Sequence, residues 1–599
     1  MKKKKQKKIV INSIEELRNV AVQLHQNNNL TEAEELYKEL LNVLPTDTTA
    51  WTNLGTIALQ RGNYKDAMTM IDKSLSIDPN QPFALNNRGN ILRDLGLLNE
   101  ALECYNKGLA INDTLYDLNY NCAIIKHSLG DISEAVTIYT KLIDSNTNDI
   151  RPLINRGNIY HELGKHQEAI NDYNTAIQID PNFSLSYSNR GIVYQDIYEL
   201  DNAIESYNIA LSLEPSASVY SNRGNIFQSQ HKIAEALTDY EKAIELDPNF
   251  PIAYGNKANA LMIERRIDEA LEQYNKALSI DPDFADALWN KSVALLTKGQ
   301  YLEGFKLFEN RWRSSLKHHY RKMNTPLWLG NESLYGKTIF IYPEQGFGDF
   351  IQFCRYLPLL DALNTNVIVE VPAILNDLIK TVNCNATFIN TETITEYPKH
   401  DYHCPIMSLP GAFYTTLDTI PNKNPYLFAN KEKSEYWANK IGTKTKPRIG
   451  LVWSGGFRPE QPETWAINER RNIKLANLEC FNQINAEFYS LQKGPASNEL
   501  VEFQAFDIID HTNEIASFDD TAALIDNLDL VISVDTSTAH VAAALGKPTW
   551  IFNRYDSCWR WLENRTESPW YPTVTLFTQT SMGDWNSVIE KILAQLKSL

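Results

Sequence analysis

The sequence predicts two architectures in tandem: an all-α array of helical hairpins over residues 13–315, then parallel α/β layers over residues 336–599. Three observations carry this. A period of 34 residues runs through the first half, and repeats of that length stack as supersecondary units. After Gly336 the period stops, and short β-rich runs alternate with helical stretches. The 599 residues are 43% hydrophobic and 22% charged, ordinary values for folded protein.

The array comes first. Pro45, Pro79, Pro181, Pro215, Pro248 and Pro282 are separated by 34, 102, 34, 33 and 34 residues. A small residue recurs in phase at Ala33, Ala67, Ala101, Ala135, Ala169, Ala203, Ala236, Ala270 and Gly304, and four residues after each comes Tyr37, Ile71, Tyr105, Tyr139, Tyr173, Tyr207, Tyr240, Tyr274 or Phe308. That spacing places both side chains on one helical face, the small one admitting a neighbouring helix. The run Trp51-x-x-Leu54-Gly55, then Ala67, Ile71 and Pro79, resembles the tetratricopeptide repeat pattern. The resemblance implies nine hairpins stacked as a superhelix, whose inner surface comes mostly from the first helix of each pair.

One position on those first helices is asparagine in every repeat: Asn19, Asn53, Asn87, Asn121, Asn155, Asn189, Asn222, Asn256 and Asn290. Asparagine is a mediocre helix former, and Glu, Lys or Gln would serve an idle surface better. A carboxamide offers donors and an acceptor together, so Asn53 to Asn290 can pair with the backbone of an extended acceptor peptide. An inter-helix hydrogen bond or a solvated helix position is the alternative. The spacing resembles the asparagine ladder of the protein O-GlcNAc transferases.

Charge narrows the partners. The net charge is −17 although the first twelve residues carry six lysines. So acidic a body is a poor match for phosphate backbones, which argues against nucleic acid as partner. Residues 1–12 read as a basic disordered tail. No apolar run reaches the ~18–20 residues of a membrane span, and Ile9-Val10-Ile11 is too short for a signal-peptide apolar region, so the expected location is cytoplasmic. Seven cysteines form no CxxC pair and read as scattered reduced thiols.

The array fades between Phe308 and Pro326, and residues 316–335 read as a linker containing the basic stretch His318 to Lys322. In the first α/β region, residues 336–430, Lys337 to Tyr342 reads as a strand, followed by the loop Glu344-Gln345-Gly346-Phe347-Gly348-Asp349 and a helix. Val367 to Val371 is a second strand, a helix follows from Pro372, and weaker strands lie near Thr387 and Tyr402. Residues 431–446 connect the two regions. In the second region, residues 447–599, Arg448 to Trp453 enters the loop Ser454-Gly455-Gly456, Phe488 to Gln492 ends at Lys493, and Leu530 to Val534 enters Asp535-Thr536-Ser537-Thr538-Ala539-His540. A strand over Pro548 to Phe552 and an amphipathic helix from Gly583-Asp584-Trp585 complete it.

Ligands in parallel α/β sheets bind beyond the carboxyl ends of the strands. Gly346 and Gly348 allow a tight turn and close backbone approach. Asp349 then opens a helix, either as an N-cap or as a general base facing the cleft. Ser537 and Thr538 begin a helix whose free N–H groups form an anion site suited to a pyrophosphate, with capping alone as the alternative. His540 in that first turn can donate to a phosphate or sugar oxygen. Arg470, Arg471, Lys474 and Lys493 are cations near strand ends that can balance a diphosphate, Lys493 and Arg471 being selected. Trp559-Arg560-Trp561 and Trp570-Tyr571 read as packing of the second region, with stacking on a base or sugar as the alternative.

Val531 to Thr536 together with Ala539 to Pro548 resembles the donor-binding motif of the lipopolysaccharide heptosyltransferase family, and Gly348-Asp349 matches that family's first loop. The resemblance implies a two-lobed GT-B domain, with residues 336–430 as first lobe and 447–599 as nucleotide-sugar-binding second lobe. It further implies inverting transfer without a metal or other cofactor, Asp349 as catalytic base, and Asp535, Ser537, Thr538, His540, Lys493 and Arg471 at the donor. The whole layout resembles bacterial tetratricopeptide-repeat protein glycosyltransferases, including those that modify flagellin, which implies an acceptor protein and a nucleotide-sugar as partners. A non-catalytic repeat scaffold with a degenerate nucleotide-binding domain, and a saccharide- or lipid-directed transferase, are the other readings.

Overall fold

The computed structural model describes residues 13–314, 316–344, 346–456 and 465–598, so the basic tail expected at residues 1–12 lies outside the described residues. The chain forms two compact units, Met1–Arg223 and Gly224–Leu599. Eighteen α-helices, from Ile14–Gln26 to Tyr301–Phe308, precede the first strand among the described residues.

In the first unit the repeated positions do what their spacing implies. Ala33, Ala101, Ala169 and Ala203 are buried, as are Tyr37, Tyr105, Tyr173 and Tyr207. Each tyrosine needs room from the preceding helix. A Cβ on Gly89 would lie 2.4 Å from the Tyr105 ring, which explains the glycine of the Asn87-Arg88-Gly89-Asn90 run. Tyr105 and Tyr173 then donate through their hydroxyls to Asn90 (2.8 Å) and Asn158 (2.7 Å). Arg156 closes the same layer with a fork onto Asp172 at 2.8 and 2.7 Å. The turn inside each hairpin takes a left-handed residue, Gly96 at φ 78° for example; Tyr198 here, and His231 and Arg265 in the repeats of the second unit, hold φ near 60° without being glycine.

The second unit carries the last repeats and two parallel sheets. The first sheet contains β1 (Thr338–Tyr342), β2 (Asn366–Val371), β3 (Ala386–Asn390) and β4 (Tyr402–Pro405) in the order β3-β2-β1-β4. The second contains β5 (Arg448–Val452), β6 (Glu487–Ser490), β7 (Ile508–Asp510), β8 (Leu530–Val534), β9 (Thr549–Asn553) and β10 (Val574–Thr578) in the order β10-β9-β8-β5-β6-β7. Strands β5, β8 and β9 are buried throughout, the mark of parallel strands covered on both faces. Strands β7 and β10 were not expected from sequence. β7 is a three-residue edge strand ending in Asp510, too short and polar to show a period.

The expected connection contains the helix Lys431–Ile441, which lies against the helix Phe518–Asp526 through Lys433, 3.0 Å from Asp519 and 2.6 Å from Asp520. The terminal helix Trp585–Leu596 begins where Asp584 accepts the Ser587 N–H at 3.1 Å. The stretch read as a linker is anchored: Arg321 pairs with Glu370, and the Trp328 N–H donates to the His403 carbonyl at 2.9 Å beside β4.

The last hairpin and the sheets share one core, containing Leu296, Tyr301, Phe305 and Phe308 together with Ile339, Phe353, Trp559 and Trp570. Trp570 Nε1 donates to the Tyr301 hydroxyl at 2.9 Å. Arg311, just past the last repeat helix, is 0% exposed and donates to Glu344 at 2.9 and 3.1 Å and to Ser408 at 2.7 Å. The expected packing role of Trp559, Trp561 and Trp570 is the one observed; all three are buried.

Candidate active site

Strand β1 ends at Tyr342, and the helix Phe347–Phe353 opens with Gly346 at its N-cap. Asp349 is not the N-cap expected from sequence; from the third helical position it accepts the Gly346 N–H at 3.1 Å and so caps the helix from inside. The same carboxylate forms an ion pair with Arg560, from the short turn Trp559–Trp561 of the second region. Both side chains are largely buried, at 17% exposure for Asp349 and 11% for Arg560. Burial lowers the Arg560 pKa, but Asp349, Cys558 and Asp535 together outweigh it and the net shift is upward. Arg560 also donates to Cys558 Sγ at 3.1 Å and lies 4.7 Å over the Trp559 ring.

Strand β8 leads into Thr536, whose extended backbone precedes the helix Ser537–Ala544. The Thr536 side chain does not cap that helix and instead bonds Ser533 Oγ at 3.0 Å. Thr536, Ser537 and Thr538 line a cleft of about 310 Å³. Its other walls are Ser454 and Gly456 after β5, Leu491 to Lys493 after β6, Ile515 to Phe518, and, from the first region, Phe347 and Ile374. The cleft therefore opens at the carboxyl ends of β5, β6 and β8, with an uncapped helix N-terminus on one side. Lys493 lines it and donates its ammonium to the Ile515 carbonyl. Gln492 Oε1 accepts from the N–H groups of Trp453 (3.1 Å) and Ser454 (2.8 Å), fixing the loop after β5 to that after β6. Phe347 meets Phe518 edge-on at 5.7 Å.

Of the residues selected from sequence, the structure brings Ser537, Thr538 and Lys493 together on the cleft wall. The others stand behind it. Arg471 donates to the Asp535 carbonyl at 3.2 Å and to Asn468 at 2.5 Å, and its guanidinium covers Gly455, where a Cβ would lie 2.2 Å away. Arg470 is engaged by Asp556 at 3.0 Å, and Lys474 is exposed. His540, expected to donate to the ligand, is 4% exposed. It stacks on Trp561 at 5.5 Å, bonds the Tyr571 hydroxyl at 2.8 Å, and lies 3.7 Å from Asp535. Burial, with Arg560 and Arg355 nearby, lowers its pKa to about 4 despite Asp535, so at neutral pH it is an uncharged part of the framework. Gly348 seats the first region against this helix: a Cβ there would come within 2.9 Å of His540 Cδ2 and 3.6 Å of the Ser537 Cα.

Sequence reasoning missed Arg560, Phe347, Phe518 and Gln492. The basic residue inside Trp559-Arg560-Trp561 was the available signal, because an arginine between buried tryptophans needs a carboxylate partner.

The asparagine row is half-buried from Asn53 to Asn290. Four of its amides donate to the preceding repeat: Asn87 to Thr56 (2.8 Å), Asn121 to Asn86 (2.9 Å), Asn155 to Tyr120 (2.9 Å) and Asn189 to Asn158 (3.0 Å). The inter-helix hydrogen bond weighed from sequence is thus present at these four positions. No helix among the described residues is long and apolar enough to cross a membrane.

Tetratricopeptide repeat families match residues 24–85, 82–115, 157–197, 217–250, 239–272 and 258–299. The N-terminal region is built of tetratricopeptide repeats. Glycosyltransferase family 9 (heptosyltransferase) matches residues 513–551, a small part of the C-terminal region that contains β8, the start of β9 and the Thr536–Thr538 wall of the cleft. Protein FlbA of Caulobacter vibrioides is 24% identical over 331 residues, 50% of this chain and 53% of FlbA; the chain thus spans about half the length of that relative. Among solved structures, a tetratricopeptide repeat protein from Parabacteroides merdae is 23% identical with a TM-score of 0.35, over 41% of this chain and 98% of its own. YrrB, described as a TPR protein with an unusual peptide-binding site, is 20% identical with a TM-score of 0.27, over 30% of this chain and 92% of its own.

Proposed function

We propose that this tetratricopeptide-repeat chain is a protein O-glycosyltransferase of the inverting, metal-independent kind that the heptosyltransferase resemblance implies. It would transfer sugar from a nucleotide-sugar to a Ser or Thr of a protein engaged by the repeats. In this reading the two sheet regions are GT-B lobes. The observation that carries it is the uncapped N-terminus of Ser537–Ala544, inside the segment matching glycosyltransferase family 9, opening on a cleft of about 310 Å³ beside Lys493. The diphosphate is assigned to the Ser537 and Thr538 N–H groups and the Lys493 ammonium, and the nucleoside to the apolar wall of Val452, Leu491 and Ile515.

Asp349 is the proposed base. As the acceptor oxygen attacks the anomeric carbon, the bond from that carbon to the diphosphate breaks, the hydroxyl proton passes to Asp349, and the nucleoside diphosphate leaves. General-base assistance of this type is worth ~10²–10⁴-fold, and fixed N–H dipoles with a lysine stabilise the leaving group. Arg560 holds the Asp349 carboxylate in place, and the incoming hydroxyl must share that carboxylate with it. The same ion pair is what favours the second reading, a nucleotide-binding scaffold without turnover.

Calorimetric titration with a panel of nucleotide-sugars, followed by intact-mass analysis of cellular proteins with and without the gene, tests the proposal. Added sugar mass on a protein, dependent on this chain, is the expected result; donor binding without transfer to any protein overturns it in favour of the scaffold. Asp349→Asn is expected to lose transfer by about 10²-fold or more with donor affinity kept. Near-normal turnover in that variant removes Asp349 as the base.

A further inference from the structure

The helical face bearing the asparagine row on the last two repeats continues into a second cavity. In the helix Ala285–Thr297, Val293 and Thr297 stand three and seven residues beyond Asn290; in the helix Pro251–Ile263, Ile263 stands seven beyond Asn256. Residues at those intervals share one face of a helix. Ile263, Val293 and Thr297 help form one wall of a cavity of about 280 Å³, and the segment from Arg554 to Glu563 after β9 provides the opposite wall.

The polar groups of this cavity are incompletely matched within the protein. Arg554 Nη1 is buried without a hydrogen-bond partner, and so is Asp556 Oδ1. Arg554 Nε lies 3.5 Å from that oxygen, and Arg470 holds the other oxygen of Asp556 at 3.0 Å. Arg265 stands at the rim with φ 60°, donating to Asn564 at 2.8 Å and lying 5.4 Å over the Tyr555 ring. Both side chains line the cavity and keep some surface, 17% for Arg554 and 11% for Asp556, so a side-chain rotation can turn the unmatched donor and acceptor toward a partner that supplies the converse pair. A peptide unit does so, its C=O to Arg554 and its N–H to Asp556. A free carboxylate would meet Asp556 and Glu563, and a cation would meet Arg554 and Arg265.

We propose that this cavity is a subsite for the acceptor polypeptide, taking an apolar side chain between Ile263, Val293 and Thr297 while the adjoining main-chain amide pairs with Arg554 and Asp556. It rests on the reading that the repeats engage a polypeptide, and it adds a sequence preference to the backbone pairing which that reading gives the asparagine row. The position at the end of that row makes it the last recognition point on the repeats before the sheets.

The test uses the full chain, fluorescently labelled and without donor, on an array of random-sequence 15-residue peptides. Wild type is expected to favour peptides with an apolar residue at one fixed position. Ile263→Trp fills the cavity from a half-buried position and is expected to weaken binding of those peptides about tenfold or more, with melting temperature and nucleotide-sugar binding unchanged; Ile263→Phe serves if the tryptophan variant does not fold. Binding of unchanged strength and pattern in a folded variant, or no positional preference in wild type, overturns the subsite. A wild-type chain that shows the preference and its loss in the variant, yet glycosylates no protein, leaves the subsite standing and removes the transferase reading.

Discussion

At the scale of single residues, His540 shows how burial sets the chemistry of the cleft. The unfolded chain protonates this side chain below about 6.5, whereas the folded protein keeps it neutral down to about 4. Its contribution to stability is therefore complete above pH 6.5 and is lost as pH falls toward 4, by about 3 kcal/mol over that window. His403, lowered to about 4 by burial and by His400 beside it, acts in the same direction. Unfolding of wild type at pH 5 is expected to take up about one proton more than unfolding of His540→Gln, measured as the slope of stability against pH. Equal slopes would show that His540 is already charged in the folded state. The same neutrality predicts no activity transition near pH 6.5 from this residue, whereas an exposed imidazole bound to phosphate would give one.

At the scale of elements, the contact between the helices Phe347–Phe353 and Ser537–Ala544 fixes how the first region faces the cleft. Alanine ordinarily improves a helix over glycine by ~0.5–1 kcal/mol. At Gly348 the sign is expected to reverse, because the new Cβ meets a His540 ring held between Trp561 and Tyr571. Gly348→Ala should cost about 1–3 kcal/mol and weaken donor binding, and a melting temperature at or above wild type would contradict the tight seat. This contact also marks where sequence stops being informative. The repeats were legible because the layers solve one packing problem in the same way, a large side chain over a small residue, as Tyr105 over Gly89 and Tyr173 over Gly157. Strands β1, β2, β5, β8 and β9 were legible as apolar runs, and the loop after β8 by its Ser537-Thr538 start. The Asp349–Arg560 pair joins residues 211 positions apart, and His540 faces Tyr571 rather than the cleft; no local pattern encodes either. Lys493 could be chosen over Arg470 only by its place at a strand end, since Asp556 is remote from both in sequence.

At the scale of the molecule, the second unit is a repeat-capped α/β body, and its last hairpin is structural core. Removing Arg311 would leave Glu344, held by it and already raised in pKa by burial, as an unpaired buried carboxylate, a change that costs about 3–5 kcal/mol. The carboxylate escapes that cost by taking a proton, so the loss in Arg311→Ala is expected to be smaller at pH 5 than at pH 8. A loss independent of pH would mean that Glu344 finds another partner. The same logic sets where the chain can be cut. A protein starting at Ala217 keeps Tyr301, Phe305 and Phe308 against Trp559 and Trp570, and is expected to be soluble, to melt cooperatively and to bind the nucleotide-sugar. One starting at Thr325 lacks those three aromatics and Arg311, exposes the Trp559 and Trp570 faces and leaves Glu344 unpaired; it is expected to aggregate. Equal solubility and melting of the two proteins, measured side by side, would show that the last repeats are separable from the sheets, and the shared core would then have no role in holding the candidate active site.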